Sequence, residues 1–346
     1  FDGNGHVVSG MQIMINEETP FLTESSNWRA YGLFASLATN PVEYKIKNLG
    51  VVNFNIDVNY TNVKEGLDLY AAAIVGGLNN GTDIVNCYSK GGRISINVKG
   101  NEAFKGFDDF GDRPDGAPRV NIHVGGICSD GGGVFGGQGT PRTALMHIEK
   151  CFNDSRITVD VQNSEFCIHA GGIIGSMDTS HIHECYNSGN ITLPVGHDNI
   201  IAGSWHESVA AGICATASIP EIPGIYHKPA ENASFIQNCY NTGQIIARGA
   251  SGIFNYSASD IHIENCYNQG VIIGNEFDNS NGMSTINNTY SDACGITPYG
   301  KEYVRNCTAN GNSVTGAAWA ESSTLGRKVL AAIPEDTHPS KIYNVV

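Results

Sequence analysis

The chain has 346 residues, including 42 glycines and 10 cysteines, and its formal net charge is −14. This acidic balance would repel phosphate backbones and anionic lipid, so we expect neither nucleic acid nor a membrane surface as a partner. No run of eighteen apolar residues occurs, so the sequence predicts no membrane-inserted segment.

From its first residues, FDGNGH, the chain consists of strand and turn patterns, with no initial Met and no signal peptide. No Pro/Ser-rich linker divides it into ordinary domains. We therefore predict one elongated unit that belongs to a larger chain.

Two phrases alternate along the chain. The first is a short apolar stretch that contains glycine, and it occurs as YGLFAS (31–36), AAIVGG (72–77), GGICSD (125–130), GGIIGS (171–176), AGICAT (211–216), SGIFNY (251–256) and CGITPY (294–299). The second phrase follows every copy of the first. It occurs as IKNLGVVNFNI (46–56), DIVNCYSKGGRI (83–94), HIEKCFNDSRI (147–157), HIHECYNSGNI (181–191), FIQNCYNTGQI (235–245), HIENCYNQGVI (262–272) and YVRNCTANGNSV (303–314). Seven units follow from this alternation.

The spacing of the repeats predicts the fold. The closest repeated cysteines, Cys239 and Cys266, are 27 residues apart, which suits three short strands joined by tight turns. Leucine-rich repeats would show an LxxLxL pattern, propeller blades would show hairpins, and long helices would not be interrupted by Gly and Asn. We predict an all-β fold, a parallel β-helix (solenoid) of about seven coils with inserted loops, over residues 1–316.

Each repeated residue has an expected structural role. The second-phrase cysteines should stack as buried, reduced thiols, because parallel Cβ vectors on neighbouring coils disfavour disulfides. Isoleucine should form a core column, and the Asn before the cysteine should tolerate left-handed turns. The glycines are expected at positive φ. These columns are Cys87, Cys151, Cys185, Cys239, Cys266 and Cys307; Ile84, Ile148, Ile182, Ile236, Ile263 and Val304; Asn86, Asn238, Asn265 and Asn306; and Gly189, Gly243, Gly270 and Gly311.

The order of the motifs resembles the GLUG-type repeats of bacterial cell-surface proteins, including adhesins and non-catalytic regions of IgA-cleaving proteases. The motifs are FDGNGHVVSGMQI, then YGLFAS, then IKNLGVVNFNI, then repeated GGI…NCYN(S/T)G. The resemblance covers roughly residues 1–314. It implies a right-handed β-helix in a secreted or surface-exposed chain, and it brings no catalytic residues. The long insertions depart from the simple pattern.

Two functional interpretations of the repeats themselves are weaker than structural ones. HIHEC places His181, His183 and Cys185 two residues apart on one strand, where they would face the same side. Other units lack the histidines that a closed zinc site needs, so we predict no metal and no cofactor. An outward aromatic stripe after the cysteines could bind sugars or a partner, although ring stacking along the ladder also explains it. The stripe comprises Tyr88, Phe152, Tyr186, Tyr240 and Tyr267.

Insertions are the better candidates for function, because loops on rigid scaffolds usually carry it. Residues 97–121 place four aspartates among phenylalanines. Three interpretations remain open. The first is a Ca²⁺ site, although the spacing is not that of an EF-hand. The second is glycan binding or cleavage, and the third is a self-packed acidic loop. For cleavage the carboxylate pair would be Asp108 and Asp115. For binding the candidates are Phe107, Asp109 and Asp112.

Two further insertions hold residues suited to a saccharide platform, in which a ring stacks on a sugar and polar groups bind hydroxyls. The candidates are Trp205, His206 and Glu207 in 193–212, and Tyr226 in 217–234. GGGVFGGQGT (131–140) lacks the ending of a phosphate-binding loop, and no GxSxG elbow occurs.

Residues 317–346 leave the repeat, and SSTLGRKVLAAI predicts a short C-terminal helical cap that ends before Pro334. We predict a recognition module for glycan or protein partners, or a stalk, at the bacterial cell surface that the GLUG-type resemblance implies. The alternative is a glycoside hydrolase that uses Asp108 and Asp115, and a third possibility is a spacer.

Overall fold

The computed structural model describes most of the repeat region. The described residues are 1–18, 28–36, 45–64, 66–78, 82–101, 119–131, 146–177, 180–194, 206–217, 234–257, 261–274, 293–294, 296–297, 302–305, 307–309 and 314–315. The predicted cap at 317–346 lies outside them, so the cap and its boundary stay predictions.

The described residues form β-strands and no helix. In chain order the strands are β1 (Val7–Ser9), β2 (Gln12–Glu18), β3 (Trp28–Tyr31), β4 (Lys45–Val52), β5 (Asn55–Val63), β6 (Leu67–Ala72), β7 (Val75–Leu78), β8 (Asp83–Gly100), β9 (Arg119–Gly125), β10 (Cys128–Gly131), β11 (Met146–Glu149), β12 (Phe152–Gln162), β13 (Glu165–Gly171), β14 (Ile174–Met177), β15 (Ser180–His183), β16 (Tyr186–Asn187), β17 (Ile191–Thr192), β18 (His206–Ala211), β19 (Cys214–Ala217), β20 (Ser234–Gln237), β21 (Tyr240–Asn241), β22 (Ile245–Ala247), β23 (Gly249–Ser251), β24 (Phe254–Ser257), β25 (Ile261–Glu264), β26 (Tyr267–Asn268), β27 (Ile272–Gly274), β28 (Ala293–Cys294), β29 (Glu302–Arg305), β30 (Thr308–Ala309) and β31 (Val314–Thr315).

These strands build three parallel sheets, which we call A, B and C. Sheet A has 19 strands, sheet B has the order β3-β6-β9-β13-β18-β23-β28, and sheet C has the order β7-β10-β14-β19-β24. Each neighbour in sheets B and C comes from the next coil, because the chain passes through A, B and C before it returns to A. The seven strands of sheet B confirm the predicted parallel solenoid of about seven coils.

An isoleucine column forms one side of the core. Ile84, Ile148, Ile182, Ile236 and Ile263 lie in register on successive coils and are 0% exposed. Apolar side chains alternate with outward polar ones on these strands, so one face of sheet A is buried along the whole row. The predicted column is confirmed for these five residues.

A left-handed residue precedes every described ladder cysteine from Cys87 to Cys266. Its φ lies between 52° and 56°, and the residues are Asn48, Asn86, Lys150, Glu184, Asn238 and Asn265. Asn48 precedes Leu49, which occupies the cysteine position of its coil. The prediction that Asn tolerates this geometry is confirmed at Asn86, Asn238 and Asn265.

The left-handed residue also reverses the direction of the next side chain. In HIHEC, Glu184 has φ 52°, so Cys185 is buried at 1% exposure while His181 and His183 are half-buried on the outer face. The prediction that all three face one side was therefore wrong.

The inward cysteines make hydrogen bonds to backbone carbonyls of the preceding coil. Each thiol donates a hydrogen bond to the isoleucine carbonyl of the preceding coil: Cys87 to Ile46 (3.7 Å), Cys151 to Ile84 (3.5 Å), Cys185 to Ile148 (3.5 Å), Cys239 to Ile182 (3.8 Å), Cys266 to Ile236 (3.5 Å) and Cys307 to Ile263 (3.5 Å). All six are free thiols, and the first five are buried. The predicted stacking is confirmed, and the predicted burial is confirmed for the first five cysteines but not for half-buried Cys307.

A second asparagine column lies inside the solenoid. Asn153, Asn187, Asn241 and Asn268 are 0% exposed. Each of the first three side chains donates from Nδ2 to the Oδ1 of the next, at 2.7, 2.8 and 2.7 Å. The same amides bond the backbone two residues later, as Asn187 does with Gly189 N and O. Buried polar groups are thereby paired along the core.

The glycines of the second phrase are required for a different reason from the one predicted. Gly189, Gly243 and Gly270 are not among the residues with positive φ, so that prediction was wrong. A Cβ on them would stand about 2 Å from the backbone oxygens of Ser155, Gly189 and Gly243, respectively. Glycine is required here because neighbouring coils approach too closely for any side chain.

Candidate functional site

Most predicted site residues fall outside the described part of the chain. They are Phe107, Asp108, Asp109, Asp112, Asp115, Trp205 and Tyr226. His206 and Glu207 begin strand β18, where their backbones pair with Phe166 and Cys167 of β13. The glycan and carboxylate hypotheses for these loops stay predictions.

The aromatic stripe on sheet A is a stacked column. Phe152 and Tyr186 have ring centroids 5.1 Å apart, and Tyr186 and Tyr240 follow at 5.4 Å. Phe152 and Tyr240 are only 8% and 6% exposed, while Tyr88, Tyr186 and Tyr267 are half-buried. The Tyr240 hydroxyl donates to Gln269 Oε1 at 2.5 Å. The rings therefore cover one another, which favours the structural interpretation of this stripe.

A groove opens on the outer face of sheet A, across several consecutive coils. Its volume is about 580 Å³, and its lining is almost entirely polar apart from Phe54 and three glycines. The lining residues are Gln12, Asn53, Phe54, Asn55, Gly91, Gly92, Arg93, Asp154, Arg156, Ser188, Gly189 and Asn190. We call it the sheet A groove.

The groove forms where the length of the sheet A bend changes between coils. In β8 two residues, Gly91 and Gly92, separate Lys90 from Arg93. The next coil has only Ser155 between Asp154 and Arg156, although Lys90 pairs with Asp154 and Arg93 with Arg156. Irregularities of this kind bend a strand and redirect side chains. Gly92 also has no room for a Cβ, which would meet the Phe54 ring at 2.2 Å.

A row of long polar side chains runs along the groove in register. Gln12 pairs with Asn55, Asn55 with Arg93, and Arg93 with Arg156. Asn190 continues the row, since its carbonyl accepts from Ile157 N beside Arg156. Its Oδ1 accepts from Gln244 N at 2.9 Å. Successive coils thus present one amide or guanidinium each, at the strand spacing of about 4.8 Å.

The two arginines differ in their contacts. Arg93 donates from Nε to Asn55 Oδ1 at 2.6 Å, and its Nη2 lies 3.5 Å from Asp57 Oδ2, so its position is held from one side. Arg156 is exposed and makes no ion pair with a described residue. Asp154 is the one acidic residue of the lining, and its Oδ1 accepts from Ser188 Oγ at 3.0 Å. The described lining residues therefore carry two positive charges and one negative charge in a chain of net charge −14.

The lining side chains of the sheet A groove offer hydrogen-bond donors and acceptors. Guanidinium and amide groups are planar and offer paired hydrogen bonds to hydroxyl or carboxylate oxygens. Among the described residues, no group of three or more His, Cys, Asp or Glu side chains is arranged to hold a metal ion. The described part of the chain also contains no helix of the length and hydropathy needed to cross a membrane.

Comparison of the chain with protein-family models, with curated proteins and with solved structures finds no significant match. The interpretation of the site therefore depends on its own residues.

Sequence reasoning missed this groove because it looked for function in the insertions. A signal was present, since GRISINV (92–98) and SRITVDV (155–161) place arginine at the same point of successive repeats. Their alignment becomes visible only when the different bend lengths are known.

Proposed function

We propose that this chain is a glycan-recognition module of a bacterial surface-exposed β-helix protein, and that it binds oligosaccharide in the sheet A groove. The observation that carries the proposal is the in-register row from Gln12 through Asn55, Arg93 and Arg156 to Asn190.

A repeating ligand fits a repeating row. Each coil contributes one polar group at a regular spacing, so a chain of sugar units meets hydrogen-bond donors and acceptors along its length. The groove is shallow and open, which suits an extended saccharide better than a small molecule enclosed in a cavity. Phe54 gives the floor an apolar element.

The arginines favour sugars that carry a carboxylate or sulfate. Arg156 is free of described ion pairs, so its guanidinium can form a paired, charge-assisted interaction with an acidic group. Arg93 is oriented by Asn55 and Asp57 and would lose little side-chain freedom on binding. The surrounding acidic chain would limit nonspecific binding of other anions.

Adhesion or recognition at a cell surface is the setting that the GLUG-type resemblance implies. A rigid solenoid would hold the groove away from the surface as a stalk does. This location is part of the proposal and carries no weight in the argument for the site.

The test is a glycan array that contains neutral and acidic oligosaccharides, followed by calorimetry on the best ligand. Arg93→Gln/Arg156→Gln should weaken binding of an acidic glycan at least about tenfold, because each charge-assisted hydrogen bond contributes roughly 1.5 to 3 kcal/mol. Lys99→Gln is the matched control. It removes one exposed charge from the same strand β8 but lies outside the groove lining.

Three results would count against the proposal: absence of binding to any glycan, equal loss in the control variant, or retention of full affinity in the double variant. Mass spectrometry of the bound sugar separates recognition from cleavage. Shortened products that disappear in Asp108→Asn/Asp115→Asn would favour the glycosidase alternative.

A further inference from the structure

One described cysteine has an environment unlike the buried ladder. Cys167 lies on strand β13 in sheet B, between the inward residues Phe166 and Ile168, and it is half-buried on the outer face. By contrast, burial raises the pKa of ladder thiols such as Cys239 well above the ordinary value, so they stay protonated. Cys167 is therefore placed where a reagent can reach it.

A histidine stands beside this thiol. Cys167 Sγ lies 3.3 Å from His169 Nε2, because residues two apart on a strand face the same side. His169 Nδ1 lies 3.2 Å from Thr216 Oγ1 on strand β19 of the next coil. When Nδ1 carries the proton and donates to the threonine oxygen, Nε2 carries no proton and can accept the one from the thiol.

The imidazole is also held by its neighbours. His123 packs edge-on against His169 with ring centroids 5.0 Å apart, and Tyr70 stacks on the other side of His123 at 5.0 Å. Asp130 Oδ2 is 3.3 Å from His123 Nδ1. Burial, together with the neighbouring His169, holds the pKa of His123 well below its ordinary value. His123 is therefore uncharged where it packs against His169.

We propose that Cys167 is a thiol nucleophile, that His169 is its base and that Thr216 positions the histidine. The substrates of this site would be small disulfides. A nucleophile within reach of a base that a third group orients is the arrangement that activates thiols in enzymes. The site lies on sheets B and C, apart from the sheet A groove, so it is independent of the proposed glycan function.

The reaction is thiol–disulfide exchange. His169 Nε2 takes the proton from Cys167 Sγ, and the sulfur attacks one sulfur of a disulfide RSSR. The Sγ–SR bond forms as the S–S bond breaks, and RS⁻ leaves with the electron pair and recovers the proton from His169. Cys167 is oxidised to a mixed disulfide, while the departing half of the disulfide is reduced to a thiol.

The test uses an aromatic disulfide whose released thiolate is coloured, mixed with the native full chain. We expect fast release of one equivalent of coloured thiolate per chain, with the modified residue identified as Cys167 by mass spectrometry. The remaining cysteines should release thiolate slowly. His169→Gln should slow the fast phase at least about tenfold at pH 6.5, a conservative bound because general-base contributions typically begin at about a hundredfold. The difference should shrink towards pH 9, because hydroxide in solution then competes with the histidine as the base.

Variants at Thr216 test positioning. Thr216→Val keeps the shape and removes the oxygen, so it should slow the fast phase severalfold and shift its pH profile, and Thr216→Ser should restore both. His262→Gln, on the outer face of sheet A, is the matched histidine control and should leave the rate unchanged. Thermal unfolding of every variant confirms that the fold is retained.

Other titratable groups lie on neighbouring strands of sheets B and C, and they bear on the pH profile. Glu207 of β18 and Asn121 of β9 pair with Cys167 in register, and Asp68 of β6 pairs with Asn121. His123 of β9 pairs with His169, and Asp130 of β10 contacts His123. Asp68→Asn and Glu207→Gln should therefore preserve the difference between wild type and His169→Gln. The proposal fails if Cys167 reacts no faster than half-buried Cys307, or if His169→Gln slows the reaction equally at pH 6.5 and pH 9.

Discussion

Gly172 lies directly against the side chain of Asn187 on the following coil, and a Cβ at Gly172 would stand 2.3 Å from Asn187 Cγ. The same relationship joins Gly126 to Asn153 and Gly212 to Asn241. The glycine belongs to the first repeated phrase and the asparagine to the second. The two phrases recur together because they form one packing unit at the centre of each coil.

Gly172→Ala should destabilise the fold by about 3 kcal/mol, since the new methyl group meets both the Asn187 amide and Gly212 O, at 2.1 Å. Gly10→Ala is the control. A Cβ there meets nothing within 4 Å, so only the strain of φ +74° remains, roughly 1 to 2 kcal/mol. Denaturant unfolding measures both changes, and a loss at Gly172 no larger than that at Gly10 would show that the contact relaxes.

Asn187→Ala should cost at least about 3 kcal/mol. It leaves Gly189 N, Gly189 O and two neighbouring amides without their partners inside the core. Asn265→Ala removes an exposed amide that donates to Asn238 Oδ1, and it should cost about 1 kcal/mol for its left-handed backbone. Chemical denaturation of the two variants gives the comparison. Equal losses would contradict the energetic importance of the buried ladder.

Alkaline pH should destabilise the solenoid through its thiols. Burial raises the pKa of Cys151, Cys185, Cys239 and Cys266 well above the ordinary value. The folded chain therefore keeps protons that the unfolded chain releases above about pH 8.5, so the free energy of unfolding falls as pH rises beyond that value.

Unfolding midpoints measured between pH 7 and pH 10 check this dependence. Cys239→Ala/Cys266→Ala should lower the midpoint at pH 7, because it leaves cavities, and should also make the decline with pH shallower. An unchanged slope in the double variant would assign the alkaline loss to other groups.

Glu184→Asn should stabilise the fold by about 0.5 to 1 kcal/mol, because Asn adopts the left-handed region more readily than Glu. Glu184 has φ 52°, and its contacts with His183 (3.4 Å) and Lys150 (3.9 Å) are at the surface and contribute little. Glu264→Asn, on strand β25, should give no gain because strands disfavour Asn. Thermal unfolding distinguishes the two, and a loss at Glu184 would mean that its ion pairs outweigh the backbone preference.

The sequence alone determined the fold class and much of the core. Repeated Ile and Cys at fixed offsets predict columns, because identical coils stacked at the strand spacing place identical residues above one another. The left-handed asparagines at 86, 238 and 265 were predictable for the same reason, since few residues tolerate that backbone. The period of the repeats can be read directly from the sequence, without knowledge of any long-range contact.

Only the tertiary structure decided which side each residue faces and what it meets. The left-handed turn at Glu184 sends Cys185 inward, away from His183, and close approach of coils explains Gly189. Arg93 and Arg156 align through bends of different length, and His169 meets Thr216 from 47 residues away. These relationships depend on coil stacking, because distances across neighbouring coils are set by the register of paired strands and not by separation along the chain.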